Sequence, residues 1–536
     1  MAVDLKNRCV TDRRRSRLQA SVLIGFVLAF SQSACQPKRQ SERLTVASAG
    51  RISSLDPALA STTGVLQVLS ALGDTLYIRG TKGKLQPQLA ASKPQFSDDG
   101  LSLTIPLRRD VLFHDGTRFD AKAMAFSLKR FLRIGSQRYL LNDRIAAIDA
   151  PSPFELRLRL KQPSSSIESL LTSPYLTPVS PKAYADHADR FLNDRFVGTG
   201  PYVLNSFRNT QQRLLPFRNY WGATPKNVGL DLINLSNSTA LFGALISGEV
   251  DVLLSNSIDE DQKRALSERA DKALLLESKG PAMNITFVTL RTNSPPLQRQ
   301  TVRRALAHSL DRRLISARVS YTQREPLRSL IPPSLRGGKT EPWPAYNLAT
   351  ARQLYQEAGY CTGRRLQVPF TFRTNVPSDR LMALTWQAQL KRDLPDCVQM
   401  TLNGVESTTV YKQLSEGSFE AVILDWGGSY PDPEAYLSPL LSCKRSEGTI
   451  CKEGEAVDGG TFWTEPGLQA ALSRSDRLQG KARLQELRAV DAMAAEGAPY
   501  LPVWVVAPKA WAQLRLNPPI FNGNGLVDLA QLGERR

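Results

Sequence analysis

The chain has 536 residues, more than one hydrophobic core usually spans, so two or more domains are expected. Apolar content of 42% and charged content of 22% are those of a folded soluble protein. Its 69 basic against 50 acidic residues give +19 and a surface that attracts anions, but the basic residues are scattered and no paired zinc-finger Cys and His occur, so nucleic-acid binding is not expected.

Residues 1–17 carry Lys6, Arg8, Arg13, Arg14, Arg15 and Arg17 against Asp4 and Asp12. The run LQASVLIGFVLAF, residues 18–30, is uncharged, too short to span a bilayer comfortably, and suited to the core of an export signal. Ser31-Gln32-Ser33-Ala34-Cys35 follows. Small residues before a cysteine resemble a bacterial lipoprotein processing site, with Cys35 as the lipidated first residue; Gln32 stands where such sites usually have Leu, and plain cleavage after Ala34 is the alternative. The reading is a signal over 1–34 and a polar tether over 35–43. No later stretch is long and apolar enough to cross a membrane, which gives an expectation of a soluble or tethered protein.

Leu44-Thr45-Val46-Ala47 begins the fold as a strand, Ser54-Leu55-Asp56-Pro57 is a turn, and residues 64–78 have helical spacing. Ser97-Asp98-Asp99-Gly100 reads as a hairpin turn. Leu101, Leu103, Ile105 and Leu107 give the next strand one apolar face. His114-Asp115-Gly116-Thr117 is a second turn, and Asp120 caps a helix bearing Met124, Phe126, Leu128 and Phe131. Farther on, Gly248 stops a helix, Val302, Ala305, Leu306, Ser309 and Leu310 share one helical face, and Gly359 ends another helix.

Residues 421–437, AVILDWGGSYPDPEAYL, carry the clearest ligand signal. Ala421 to Leu424 form a short apolar run of the kind buried on both faces. Gly427 and Gly428 permit a sharp turn or a close backbone approach, and Pro431 and Pro433 stiffen the exit. An aromatic and small polar groups at the carboxyl end of a buried strand are where open α/β sheets bind ligands. The bland alternative is a tight loop whose Trp426 packs into the core.

Four cysteines follow Cys35: Cys361, Cys397, Cys443 and Cys451. An even number in an exported chain suggests two disulfides. Three pairings are possible; Cys361–Cys397 with Cys443–Cys451 is preferred because each closes a local loop. A four-thiolate metal site is the alternative, unsupported by any Cys-x-x-Cys.

No enzyme signature appears. His114, His187 and His308 lie apart and form no H-E-x-x-H. There is no G-x-S-x-G elbow, no S-x-x-K and no Walker lysine, and Gly198-Thr199-Gly200 lacks the third glycine of a dinucleotide fingerprint. No catalytic residues, cofactor or metal are assigned.

The stretch 96–132 resembles bacterial extracellular solute-binding proteins of the peptide and nickel type, family 5. Ser97, Asp98, Asp99, Gly100, Leu107, Arg108, Val111, Phe113, His114, Asp115, Gly116, Phe119, Ala121, Phe126 and Ser127 match its pattern, while Lys122-Ala123-Met124 replaces the usual E-D-V. Val197 to Tyr202, Asn219 to Gly222, Leu245 to Val252, Val302 to Arg312, Ala351 to Tyr360 and Ala498 to Val503 are similar to its later motifs.

The resemblance implies an α/β, two-lobed periplasmic-binding-protein fold (type II, clamshell) with an extra domain inserted in the first lobe. The segments it implies are 44–85, 195–285 and 498–536 for lobe 1, 86–194 for the inserted domain and 286–497 for lobe 2. The function implied is capture of oligopeptides or related amide-rich solutes for the permease and ATPase subunits of an ABC importer. The setting is the periplasm or the outer face of the cytoplasmic membrane, with a monomer held by a lipid anchor. An exported enzyme, a sensory receptor subunit or capture of a non-peptide ligand on the same scaffold are the alternatives.

Carried over by position, Trp426, Ser429, Tyr430 and Asp432 fall on the family's ligand segment. Peptide receptors hold an aspartate at the place of Ser429, where it pairs with the ligand's α-amino group. A serine cannot supply that charge-assisted bond, and Asp425 is the one nearby substitute. Thr62 and Thr63, with Ser61, and Tyr139 are further cleft candidates.

Overall fold

A computed structural model describes residues 43–60, 62–80, 83–235, 237–255 and 258–535. The export signal, Cys35, the tether as far as residue 42, and Ser61 lie outside the described residues.

Two large sheets organise the chain. The first has seven strands in the order Leu276–Lys279, Lys509–Ala512, Val252–Leu254, Leu44–Ala49, Leu230–Leu235, Gln211–Pro216, Tyr202–Arg208. Leu44–Ala49 runs parallel to both its neighbours, and the outer pairs are antiparallel. Alternation sends Val46 into the main apolar core and Ala47 into a second cluster with Leu241, Leu253 and Trp511 on the opposite face.

The second sheet has six strands in the order Glu325–Pro326, Tyr500–Val506, Asn284–Leu290, Ala421–Trp426, Leu366–Arg373, Val398–Val405. Ala421 to Leu424 are all buried, as the uninterrupted apolar run predicts. Val422 and Leu424 join the main core; Ala421 and Ile423 join the core beneath helices Gln300–His308 and Pro377–Asp393. Truncating Ile423 to alanine would cost about 2–5 kcal/mol, the usual price of a large-to-small change at a fully buried site.

A four-stranded antiparallel sheet lies between residues 95 and 160 and packs on helix Ala121–Ile134. Leu103, Ile105 and Leu107 are buried beneath it, as the alternation predicts, and Leu156 and Leu158 pack with them; Leu101 departs from the expected face and is exposed, because it lies in the turn before strand Ser102–Pro106. Met124, Leu128 and Phe131 are buried with them, and Phe126 only partly. Asp120 caps this helix by accepting from the Ala123 amide at 2.8 Å.

The chain passes between the large sheets at two short connections. Residues 280–283 join Leu276–Lys279 of the first sheet to Asn284–Leu290 of the second. Residues 507–508 return from Tyr500–Val506 to Lys509–Ala512. The two crossings touch, the Gly280 amide donating to the Pro508 carbonyl at 2.8 Å. A Cβ on Gly280 would meet Pro508 and Phe521 at 2.8 Å, so this crossing needs glycine for close approach.

Two separately noted motifs, Val197 to Tyr202 and Asn219 to Gly222, serve one buried carboxylate. Asp74 accepts from Gln88 Nε2 at 2.9 Å, Thr199 Oγ1 at 3.1 Å, the Tyr220 hydroxyl at 3.0 Å and Trp221 Nε1 at 2.9 Å. Burial pushes its carboxyl up to about 6 despite these four donors. Asp56, in the first turn, accepts both terminal nitrogens of Arg130 at 2.8 and 2.6 Å in a pair almost wholly shielded from solvent. His114 donates from Nε2 to the Gly200 carbonyl at 3.1 Å; burial pushes its imidazole down to about 4, as suits a neutral structural histidine.

Sulfur bonds join Cys361 to Cys397 at 2.04 Å and Cys443 to Cys451 at 1.96 Å. No helix among the described residues is long and apolar enough to cross a membrane.

Candidate functional site

Where the two crossings meet, a cleft of about 360 Å³ opens between the sheets. Pro281, Met283 and Asn284 from one crossing and Val506 to Lys509 from the other form its floor. Thr63, Ser255, Glu260 and Lys263 wall it from the side of the first sheet; Gln323, Arg324 and Gly427 wall it from the side of the second. This volume is in the range of small-molecule sites.

Charged groups bridge the two walls. Glu260 begins helix Glu260–Asp271, whose Leu266 is anchored in the first sheet's outer cluster. Its Oε1 accepts from Arg324 Nη2 at 2.8 Å and from Lys263 Nζ at 3.1 Å. Arg324 precedes the edge strand Glu325–Pro326 and lies 5.0 Å over the Trp504 ring. Lys509 Nζ reaches Glu277 Oε1 at 3.1 Å, Ser267 Oγ at 3.0 Å and Gln323 Oε1 at 3.2 Å. Burial lowers the Lys263 ammonium below the ordinary lysine value; Glu260 opposes the shift, and Arg324 and Lys509 add to it. Burial alone would raise Glu277, but the Ser267 hydroxyl and Lys509 hold it below the usual carboxylate range.

The residues expected at the ligand are distributed differently. Thr63 lines the cleft. Thr62 caps the helix Thr63–Leu72 that begins there, its Oγ1 accepting from the Val65 amide at 3.4 Å. Gly427 borders the space, and the adjoining Trp426 is tied to its own turn, Nε1 donating to the Ala435 carbonyl at 2.8 Å. Gly428 adopts φ +20°, and a Cβ there would lie 2.6 Å from the Tyr436 ring, the close approach its glycine suggested. Ser429 is half-buried and follows directly.

Tyr430 and Asp432 turn inward instead of facing the cleft. Tyr430 hydrogen-bonds Glu434, and Arg144 Nη2 donates to its hydroxyl at 2.9 Å. Asp432 accepts from Arg483 Nη1 and Nη2 at 2.9 and 2.7 Å and from Ser169 Oγ at 3.0 Å. Burial alone would raise the Asp432 carboxyl, but Arg483 holds it below the usual range. The reason is packing: the segment that follows Ser429 enters helix Glu434–Leu441, and a carboxylate buried at that turn needs a cation beside it.

Asp425 is already paired, meeting Arg373 Nη2 at 2.5 Å, while the same guanidinium binds Asp379 at 2.7 Å and Tyr411 at 2.8 Å. Tyr139 is half-exposed in the short helix Tyr139–Asn142 and does not border the cleft. Lys263, Arg324 and Lys509 were not singled out in the sequence. They come from three distant segments with no local motif, and EDQKRALSERAD reads as a solvated charged helix.

Known proteins share this fold. A glutathione-binding protein, GsiB, of Salmonella paratyphi A is 26% identical over 464 residues, covering 85% of this chain and 87% of that protein. The dipeptide binding protein of Pseudoalteromonas sp. SM9913, solved in complex with Met-Leu, superposes with a TM-score of 0.73 at 22% identity, over 92% of this chain and 100% of that one. NikA of Brucella suis, solved with Fe(III)-EDTA, superposes with a TM-score of 0.79 at 21% identity over the same shares. These likenesses carry the α/β two-lobed fold. The model of bacterial extracellular solute-binding proteins, family 5, matches residues 84–448, and the chain therefore belongs to this family of binding proteins rather than to an enzyme family.

Proposed function

We propose that the protein captures a peptide or a related amide-bearing solute between its lobes and delivers it to the permease and ATPase subunits of an ABC importer. The observation that carries this reading is the cleft at the two chain crossings, walled from both sheets and floored by the segments about which the lobes would turn. Hinge closure needs only a few residues at such crossings to absorb the backbone change. The glutathione-binding and dipeptide-binding relatives support a peptide-like solute.

In this reading the lobes follow the segments 44–85, 195–285 and 498–536, and 286–497, with 86–194 inserted. Thr62, Thr63, Trp426 and Ser429 flank the solute, while Asp425 acts through Arg373. The protein works outside the cytoplasmic membrane as a monomer, anchored through lipid on Cys35 after removal of residues 1–34. Ser429, in place of an aspartate, favours a solute not selected by a free amino terminus.

The test is mass spectrometry of whatever the native protein releases on denaturation, followed by titration of that compound into stripped protein. Saturable, reversible binding without turnover is expected. A ligand that is consumed would overturn capture as the function.

A further inference from the structure

We infer that residues 144–173 of the inserted region form a strap that fastens onto lobe 2 at the end of the cleft away from the crossings, so that contacts which never touch the solute set how long it is held. This rests on the capture function and the lobe boundaries proposed above, and it concerns closure rather than recognition.

The strap is fixed to lobe 1. Arg130, on helix Ala121–Ile134 beside it, holds Asp56 through both terminal nitrogens. Separating so shielded a pair would strand two charges out of water. Thr177 Oγ1 donates to the Asp74 carbonyl at 2.8 Å, and Asn524 Nδ2 donates to the Thr172 carbonyl at 2.7 Å. The inserted region therefore travels with lobe 1 when the lobes part.

The same region meets lobe 2 through polar groups. Gly427 and Asn524 border the cleft, and just beyond them Ser173 Oγ reaches the Ser429 carbonyl at 3.5 Å. Farther along, the Ser165 amide donates to the Asp476 carbonyl at 3.1 Å. The Ser165 hydroxyl stands between the Asp476 and Leu478 carbonyls at 2.8 and 2.6 Å and accepts from Gln479 Nε2 at 3.1 Å. Arg144 Nη2 donates to the Tyr430 hydroxyl at 2.9 Å and to Glu434 Oε1 at 3.3 Å. Ser164, Ser165 and Ser166 are all buried here, although serine is mostly an exposed residue.

This chemistry suits a seam that opens and shuts. Hydroxyls, a guanidinium and backbone carbonyls each exchange their partner for water at a small net change per bond. Rotation of lobe 2 about residues 280–283 and 507–508, with the inserted region staying on lobe 1, breaks every one of these bonds. They stabilise the closed form alone. Contacts present only in the closed form raise affinity by shifting the population toward it, and they slow release. The covalent chain fixes one end of the cleft, and the strap fastens the other.

The probes are γ-Glu-Cys-Gly, Met-Leu and any compound that the native protein releases on denaturation; the one that binds most tightly in calorimetric titration is carried through. Hydrogen exchange is read by mass spectrometry over the segment holding Ser165, whose amide has its partner across the seam. Saturation with the probe should slow exchange there at least about tenfold, as an amide that opens with the lobes becomes shut. Arg144→Met should raise Kd about tenfold and Ser165→Ala about fivefold, the scale of the hydrogen bonds removed. In stopped-flow mixing the change should lie in the dissociation rate, with association unaltered. Thermal midpoints confirm that both variants fold. Exchange equally slow with and without the probe, or dissociation rates in both variants within about twofold of wild type, below the scale of these bonds, would overturn the strap and leave capture standing. No binding of any probe, together with no compound released by the native protein, would overturn capture itself and the strap with it.

Discussion

Arg483 gives both terminal nitrogens to Asp432, at 2.9 and 2.7 Å, and so pins the turn after Ser429 to helix Gly480–Gly497. The same carboxylate takes the Ser169 hydroxyl, which in turn accepts from Arg79 Nη2 at 2.6 Å. Asp432 therefore buttresses the cleft wall from behind. Asp432→Asn should destabilise the fold by about 3–5 kcal/mol, because it leaves a buried guanidinium without its counter-ion. Urea unfolding checks this. Unchanged stability with lost ligand affinity would give Asp432 a direct role at the solute.

Three buried carboxyls make stability depend on pH in one direction. Burial pushes Asp74 up to about 6 and Asp476 and Asp491 up to about 7. The folded chain then holds these protons more tightly than the unfolded chain. Their stabilising contribution is fully present below about pH 4 and is lost as pH rises through 6 to 7. Asp476 is the cleanest probe. Burial raises it most, Glu434 and Asp432 add to that, Arg483 and Arg144 oppose them, and its carbonyl accepts the Ser165 hydroxyl at 2.8 Å. Asp476→Asn should gain on the order of 1 kcal/mol at pH 8 and nothing near pH 4, read from urea midpoints at both. Equal effects at the two pH values would contradict the assignment.

Reduction of the disulfides should weaken the fold unequally. The loop between Cys361 and Cys397 spans 36 residues and that between Cys443 and Cys451 spans 8. Chain-entropy arguments put the losses at about 4 and about 2.5 kcal/mol. Paired Cys→Ala variants compared in denaturant should show the longer loop losing more. The reverse order would place the stabilisation in local packing instead of loop closure.

Ser429→Asp tests the role of the segment that follows strand Ala421–Trp426. The added carboxylate should improve binding of a free-amino tripeptide over its N-acetyl form by roughly tenfold, the scale of one charged hydrogen bond. Titration with both forms reads this directly. An unchanged ratio would remove Ser429 from the solute-contacting wall.

Local patterns made the elements legible, but not the way distant side chains converge. Ala421 to Leu424 announced a strand buried on both faces because four apolar residues in a row leave no polar face. Asp120, Gly428 and the faces around Val302 were readable for similar reasons. Asp74 was not, since nothing in A-L-G-D-T marks it, and its donors Gln88, Thr199, Tyr220 and Trp221 lie in three separate stretches of the chain. Asp432 is expected at the ligand from its family position, and no local pattern reveals its partner Arg483, which lies 51 residues on. Lys263, Arg324 and Lys509 escaped notice because only the two chain crossings bring them together.

Capture between two closing lobes is most directly tested by small-angle scattering on stripped protein, before and after saturation with the solute that the native protein releases. The radius of gyration should fall on binding, because lobes that stand open without solute close on it about the crossings at residues 280–283 and 507–508, where the Glu260–Arg324 pair joins the two walls. An unchanged radius in a sample shown by titration to be saturated would contradict closure around the solute.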